Sequence, residues 1–364
     1  MNLAIISTHP IRNHYVYYEA IITLFPQHHI TLFLHEAFRP FLEKYQESKQ
    51  LTFHYNKNST PFSFLRRHKK TLRQQDTVIM EEPYSMVELL SGILLGFYTS
   101  NRHLTIHNVN RWFRPVFTWN PRGAIRYLLR KVMLLGMKKF IVTSPNVLEY
   151  VRKTFPEKKE EVHFIPFSVQ SAGKRLPKSE KKTIDIVIPG VVDSTVRDYD
   201  TVLEAFRMHL QQHPGTQLRL ILLGKLGKKE QVILRKIKEI QNIRKEAIVY
   251  WDEFIDDQLF NDTLANSDFL VANIRLEFKK DNTIEIYGKT KETGVFFQRM
   301  NYGKRLIAVE GYGDLSGEIL HYKDHEGLST FFEQIENGSV GEKVDQGIFD
   351  HYSEGVHEEV TKFY

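Results

Sequence analysis

The sequence predicts an α/β chain built from two successive doubly wound units, each a parallel sheet with helices on both faces. Three observations carry this reading. Short apolar, β-branched runs alternate with helix-like stretches along most of the chain. The alternation breaks once, near Ser171, in "SAGKRLPKSEKKT", a polar, basic stretch with Gly and Pro that reads as an interdomain linker. A length of 364 residues, 41% hydrophobic and 26% charged, is globular composition at a size that suggests two domains.

The elements follow in order. "LAIIST" reads as the first strand, and an aromatic helical stretch runs from Tyr15 to Leu24. "HITLFLH" is a strand that leads into a helix, "AFRPFLEKYQ". "TVIMEEP", "HLTIHNV", "KKFIVTS" and "VHFIPFS" complete the strands of the first unit, with helical segments between most of them. After the linker, "IDIVIPG", "QLRLILLG", "AIVYWDEF", "DFLVANI" and "RLIAVEG" are strands. The helices between them include "DYDTVLEAFRMHLQQ", "KKEQVILRKIKEIQN" and "DDQLFNDTLANS". These give domains over 1–172 and 183–345. The aromatic segment 346–364, "IFDHYSEGVHEEVTKFY" from 348 onward, reads as a helix packing back on the first domain. In such folds ligands bind at the carboxyl ends of the strands.

Composition narrows the function. There is no cysteine, which excludes disulfide and thiol chemistry and fits a reducing, cytoplasmic compartment. "MNLAIIST" lacks a basic leader and reads as a strand, not a signal peptide. The longest apolar run, "MVELLSGILLGFY", carries Glu88 and is too short to span a bilayer. The net charge of +6 is compatible with nucleic acid, anionic membranes or phosphate-bearing substrates, but no nucleic-acid signature is present. No histidine–carboxylate pair shows metal-ligand spacing on a recognisable element.

One stretch concentrates the chemistry: "EIYGKTKETGVFFQRMNYGKRLIAVEG", Glu285 to Gly311. Gly294 opens a short helix, Gly303 and Lys304 close it, and Lys289, Lys291 and Glu292 crowd its start. A helix N-terminus amid charge suits a phosphate. The same residues also describe an ordinary loop–helix–strand unit with a solvated loop.

With "PGVVDSTVRDYDTVLEAF", "LILLGKLGKKE" and "VYWDEFIDDQLFNDTLANSDFLVANI" added, the order of features resembles GT-B-fold glycosyltransferases, most of all the family 4 retaining type. The resemblance spans nearly the whole chain and is strongest in the second domain. It implies two Rossmann-like domains facing a cleft and a nucleotide-diphosphate sugar as substrate, with no cofactor and no required metal. Gly190 ends a strand, and Arg197 falls where the family places a cation on the donor diphosphate, ahead of Asp200, Leu203, Glu204, Ala205 and Phe206. Phe254 falls where the family's backbone reads the nucleobase. Gly294, Val295 and Phe296 would offer amides to the donor phosphates. His107, ending "HLTIH", matches a histidine that faces the donor sugar.

There are departures. Val191 stands where the family has a second basic residue, and Gln298 where it has a glutamate; Glu292 is the carboxylate nearest the other glutamate. Lys225, Lys289 or Lys291 would replace the missing cation. The family's glycine-rich loop after the first strand is absent, and "STHPIRNHYVYY" puts His9, Arg12 and His14 on the acceptor side. The implied activity is transfer to a glycan or lipid-linked saccharide, with the alternative of a non-catalytic nucleotide-sugar-binding protein and a weaker one of a nucleotide-sugar epimerase.

Two basic amphipathic stretches remain. "TPFSFLRRHKKTLRQQ" reads equally as a core-packed helix or as a peripheral attachment to an anionic membrane, where each basic residue near the surface adds about 1 kcal/mol. "PRGAIRYLLRKVMLLGMKK" reads as a core-packed helix with solvated faces.

Overall fold

The protein is described by a computed structural model covering residues 1–11, 14–137, 139–169, 182–280, 282–315 and 317–341. Arg12, the linker from 170 to 181 and the proposed helix over 346–364 lie outside the described residues.

The first sheet contains β1 (Asn2–Ser7), β2 (His29–His35), β3 (Leu51–Asn56), β4 (Thr77–Met80), β5 (Arg102–Thr105), β6 (Lys139–Val142) and β7 (Val162–Phe164). They lie in the order β3-β2-β1-β4-β5-β6-β7, parallel throughout. Continuous apolar runs suit this layout because helices cover both faces of a parallel sheet. Leu3, Ala4, Ile5 and Ile6 are all buried, as are Leu32, Phe33 and Leu34 beside them.

The second unit holds β8 (Ile184–Pro189), β9 (Leu218–Lys225), β10 (Ile248–Trp251), β11 (Phe269–Ala272), β12 (Glu277–Lys280), β13 (Thr283–Ile286), β14 (Arg305–Val309) and β15 (Leu320–Tyr322). Six of these form a parallel sheet, β10-β9-β8-β11-β14-β15, and β12 and β13 form a separate antiparallel hairpin. In both sheets the winding reverses beside the first strand, between β1 and β4 and between β8 and β11. Such switch points open a crevice at the carboxyl edge.

The departures from the sequence reading have physical reasons. β3 went unread because "LTFHYN" is a half-buried edge strand without an apolar run. β15 has three residues, and the β12–β13 hairpin is mostly polar. "AFRPFLEKYQ" forms three single turns, Glu36–Phe38, Arg39–Leu42 and Glu43–Tyr45, instead of one helix. The first basic stretch breaks at His68 into Pro61–Arg67 and Lys69–Arg73.

The two carboxyl edges face one another and are tied directly. The hairpin's Glu285 carboxylate accepts from the amides of Arg111 (2.7 Å) and Asn110 (3.3 Å), which open the helix Val109–Phe113. The Val109 amide donates to the Thr290 carbonyl at 2.9 Å. Ser144 donates through Oγ to Glu292 at 2.7 Å, and the Asn146 side-chain amide donates to the Gly313 carbonyl at 2.9 Å. Phe167 stacks on Phe297 across the divide, ring centroids 4.8 Å apart.

Two of these ties are carboxylates, and burial raises each from an ordinary value of 4.5 to about 7. A raised folded-state value favours the protonated group. The stabilisation it gives is complete below the unfolded value and is lost as pH rises through about 7. Glu292→Gln should therefore match the wild type in Tm near pH 5 and exceed it at pH 8. Melting curves of both proteins across that range check this, and a constant Tm difference would refute the linkage.

Candidate functional site

In the second unit the switch point is built from two glycines and an arginine. Gly190 follows β8 with a φ of +100°, a conformation that favours glycine, and its amide donates to the Leu223 carbonyl at 2.8 Å. A Cβ on Gly224 would lie 2.2 Å from the Gly190 carbonyl oxygen, so the ends of β8 and β9 meet backbone to backbone. Arg197 folds back over this corner: a Cβ on Gly190 would lie 2.7 Å from Arg197 Nη2. Its backbone bridges antiparallel to Ile274, and its guanidinium reaches Asn273 Oδ1 at 3.5 Å. Asp198 then caps the helix Tyr199–Gln212 by accepting from the Thr201 amide at 3.1 Å.

The helix Gly294–Tyr302 supplies the opposite wall. Thr293 is its N-cap, accepting the Val295 amide on Oγ1 at 3.4 Å, and Gly303 ends it in the left-handed conformation, φ 63°. A Cβ on Gly294 would meet no atom within 4 Å, so packing does not demand glycine there. The space above the helix start is open.

Between these walls lies a cavity of about 360 Å³, within the size range of small-ligand sites. Gly190, Val191, Gly224, Lys225, Phe254, Gly294 and Gln298 line it from the second unit, and Tyr15, Phe167 and Ser168 from the first. The Lys225 ammonium lies 4.9 Å from the centroid of the largely exposed Phe254 ring. Gln298 Oε1 is buried without a hydrogen-bond partner among the described residues. Buried acceptors are normally satisfied, so this one is available to a ligand donor.

Other residues singled out in the sequence lie elsewhere. The side chains of Val295 and Phe296 are buried, Phe296 against Met300, leaving only backbone to contribute. Lys289 is exposed. Lys291 is committed to the interface: its Nζ donates to Asn108 Oδ1 at 2.9 Å and lies over the rings of Phe278 and Tyr287. Glu292 is likewise engaged, accepting from Ser144, from Tyr312 Oη and from the Thr293 amide at 2.9 Å.

The first unit brings His14 and His107 together around Glu81, a residue that no motif in the sequence marks. Glu81 follows β4 at the other switch point and is buried. Its carboxylate accepts from Ser7 Oγ, from Tyr18 Oη at 2.6 Å and from His14 Nδ1, and His107 Nε2 lies 3.7 Å away. Burial would raise this carboxyl, but the two imidazoles outweigh it and hold it well below the usual range. The adjacent Glu82 binds the His107 amide at 2.6 Å and the Asn108 side-chain amide at 3.1 Å. Phe167 contacts both rings, with centroids 5.2 Å from His14 and 5.9 Å from His107, and separates them from the Phe297 wall. His9 instead stacks at a tilt on Tyr84, 5.0 Å away.

The ligand atoms of His14, Glu81 and His107 all lie within 4.8 Å of one another, a donor set able to hold a transition metal. His14 precedes the helix Tyr15–Leu24, whereas Glu81 and His107 follow β4 and β5, so linear spacing carries no signal of the cluster.

The chain matches no protein-family model and no curated protein in sequence. Its fold is similar to solved structures. HepE of Anabaena in complex with UDP and glucose superposes with a TM-score of 0.61 at 13% identity, covering 93% of this chain and 91% of that one. The E. coli structure described as trehalose-6-phosphate bound with UDP-2-fluoro glucose gives 0.58 at 10%, covering 100% and 96%. A putative UDP-N-acetylglucosamine 2-epimerase from Listeria monocytogenes gives 0.52 at 10%, covering 99% and 90%. Likeness at such identities defines the fold, two doubly wound domains in the GT-B architecture, and the chemistry must be argued from the site.

The open Gly294 generates a prediction. Gly294→Val should leave Tm nearly unchanged, because its side chain enters empty space, and should weaken any binding of inorganic pyrophosphate at least about tenfold by filling the approach to the helix amides. Calorimetric titration alongside thermal melting checks this. Pyrophosphate affinity equal to that of the wild type would remove the helix start from the site.

Proposed function

We propose that this chain is a glycosyltransferase that moves a sugar from a nucleotide-diphosphate donor to a glycan or lipid-linked saccharide in cell-surface polysaccharide biosynthesis, with retention at the anomeric carbon. The observation that carries the proposal is the cavity where Lys225, Gly294 and Gln298 converge beside the Arg197-covered Gly190 corner. Two cations and a helix N-terminus make a binding place for a diphosphate. UDP-sugars are the first donors to test, because structures similar in fold were solved with UDP or a UDP-sugar.

In this reading the nucleotide lies against the second unit, with Phe254 beside the base and Gln298 Oε1 accepting from a ribose hydroxyl. The bond between the anomeric carbon and the diphosphate oxygen breaks, and the diphosphate leaves with the electron pair. Arg197, Lys225 and the amides at Gly294 stabilise the charge that develops there, electrostatic work that needs no rearrangement during reaction. The acceptor hydroxyl attacks from the face the diphosphate leaves and gives its proton to the departing phosphate oxygen. No nucleophilic carboxylate is required. His107, held by Glu81 and Glu82 behind Phe167, is the first-domain group we assign to the donor sugar, and its Nε2 has no hydrogen-bond partner among the described residues.

The second reading is a binding protein that holds a nucleotide sugar without turning it over. Val191 favours it: half of that side chain is exposed on the cavity wall where related enzymes carry a cation. A thermal-shift screen with common nucleotide sugars, followed by a product assay with lipid-linked and free saccharides, separates the two. Donor stabilisation with product supports the transferase, and donor stabilisation without product on any acceptor supports the binder.

Arg197→Ala should lower kcat/KM at least about tenfold, since each 1.36 kcal/mol of lost transition-state stabilisation is a factor of ten. Steady-state kinetics on the folded variant checks this. Unchanged turnover and UDP affinity would exclude Arg197 from the site.

A further inference from the structure

The helical layer over one face of the first sheet concentrates many of the exposed large hydrophobic residues among the described residues. In the helix Pro121–Gly136, Ile125, Leu128, Val132 and Leu135 are all exposed, Leu135 to 86%. At 100° per residue they fall within an arc of roughly 80°, a single stripe. Arg122 and Arg126 flank the stripe on one side and Lys131 on the other. The loop before the helix adds Val116, Phe117 and Trp119, the last 92% exposed. The neighbouring helix Met86–Leu95 packs beside it, Gly92 against Met133. That helix and the loop after it expose Val87, Leu90 and Phe97.

These outward surfaces look the same way. The connections from β3 to β4, β4 to β5 and β5 to β6 all advance in one sense across the sheet. Right-handed crossovers therefore place their helices on the same side. The helix Pro61–Arg67 belongs to this layer, packs against Met86–Leu95 and exposes Phe62.

The charge on this face has one sign. Residues 60–75 contain five Lys and Arg and no Asp or Glu, and residues 114–139 contain seven and none. The one acid between 86 and 97, Glu88, is buried in a capping box with Ser85. Arg66, Arg67, Lys70, Arg73, Arg122 and Lys131 are exposed. Among the described residues no helix is long and apolar enough to cross a membrane.

We propose that this face docks on the surface of an anionic lipid bilayer, with the Ile125–Leu135 stripe and Trp119 entering the headgroup region and the cations meeting lipid phosphates. An apolar stripe rimmed by Arg and Lys, with an indole at its edge, matches the chemistry of an interfacial helix. The membrane face thus centres on the second basic stretch, read from sequence as a core-packed helix. In the first stretch Phe64, Leu65 and Leu72 are buried, and it contributes charge. The proposal goes beyond the donor site and does not depend on it.

Vesicle co-sedimentation tests it. The wild type should bind vesicles of equimolar phosphatidylglycerol and phosphatidylcholine, bind phosphatidylcholine alone far less, and lose binding as salt screens its charges. Leu128→Glu with Leu135→Glu should lower the bound fraction at least about tenfold, with unchanged circular dichroism and UDP affinity. Should that pair fail to fold, Arg66→Glu with Arg67→Glu and Lys70→Glu challenges the same face through charge. Brominated lipid should quench tryptophan emission in the wild type and much less in Trp119→Phe. Absence of binding to the anionic vesicles, or binding untouched by the substitutions, overturns the proposal. So does a wild-type dimer in solution that Leu128→Glu and Leu135→Glu dissociate, since a second copy would then be the occupant.

Discussion

The cavity between the two sheets depends on one buried carboxyl. Glu292 immediately precedes the N-cap of the helix Gly294–Tyr302 and is held by Ser144 of the first domain and by Tyr312 of the second. It therefore fixes where that helix begins relative to the first sheet. Its neighbours extend the constraint: Thr290 receives the Val109 amide, and Lys291 reaches Asn108. Four consecutive residues, Asn108 to Arg111, are engaged by the segment from Ile284 to Lys291. The start of the helix Gly294–Tyr302 is thus positioned by the other domain as much as by its own, and the cavity exists only while the two edges are held together.

The same ties explain why some charged residues near the helix are poor candidates for ligand contact. A lysine whose ammonium already has an amide oxygen and two aromatic faces would have to break those contacts to reach a phosphate. Among the described residues Lys225 carries no such commitment beyond the Phe254 ring, and it lies on the cavity wall. Proximity in sequence to the glycine helix favoured Lys289 and Lys291; proximity in space favours a residue at the end of β9.

Legibility in the sequence followed burial and locality. β2 and the helix Tyr15–Leu24 could be read to the residue, because β2 is buried from Ile30 to Leu34 and the helix buries a local aromatic and aliphatic face, Tyr17, Tyr18, Ala20 and Ile21. β3 and β15 were lost because edge strands bury too little to leave a pattern. Gly190 and Arg197 were readable as a motif, being seven residues apart in one local corner. Glu81, Phe167 and the His14–His107 pairing were not, since they meet through the sheet order and share no local spacing. The basic stretches show the limit of composition: both are amphipathic, and only the packing reveals which one leaves its apolar side uncovered.

Under the proposed function, Val191 and Gln298, the two departures from the pattern the chain resembles, offset one another electrostatically. Val191 removes a cation from the cavity wall, and Gln298 removes an anion from the same wall. The remaining carboxyl near the helix start, Glu292, is raised by burial to about 7, so around neutrality it carries only part of a charge. Ionised carboxylates beside a diphosphate would have to be balanced by protein cations at a cost that grows as the site is desolvated. With Gln298 neutral and Glu292 partly so, Arg197, Lys225 and the helix dipole would meet a diphosphate in the proposed site with fewer competing anions. A glutamine still accepts one hydroxyl hydrogen bond through its carbonyl. The altered wall therefore keeps the net positive balance that an anionic donor requires, and the loss of a basic residue at position 191 does not by itself imply the loss of binding.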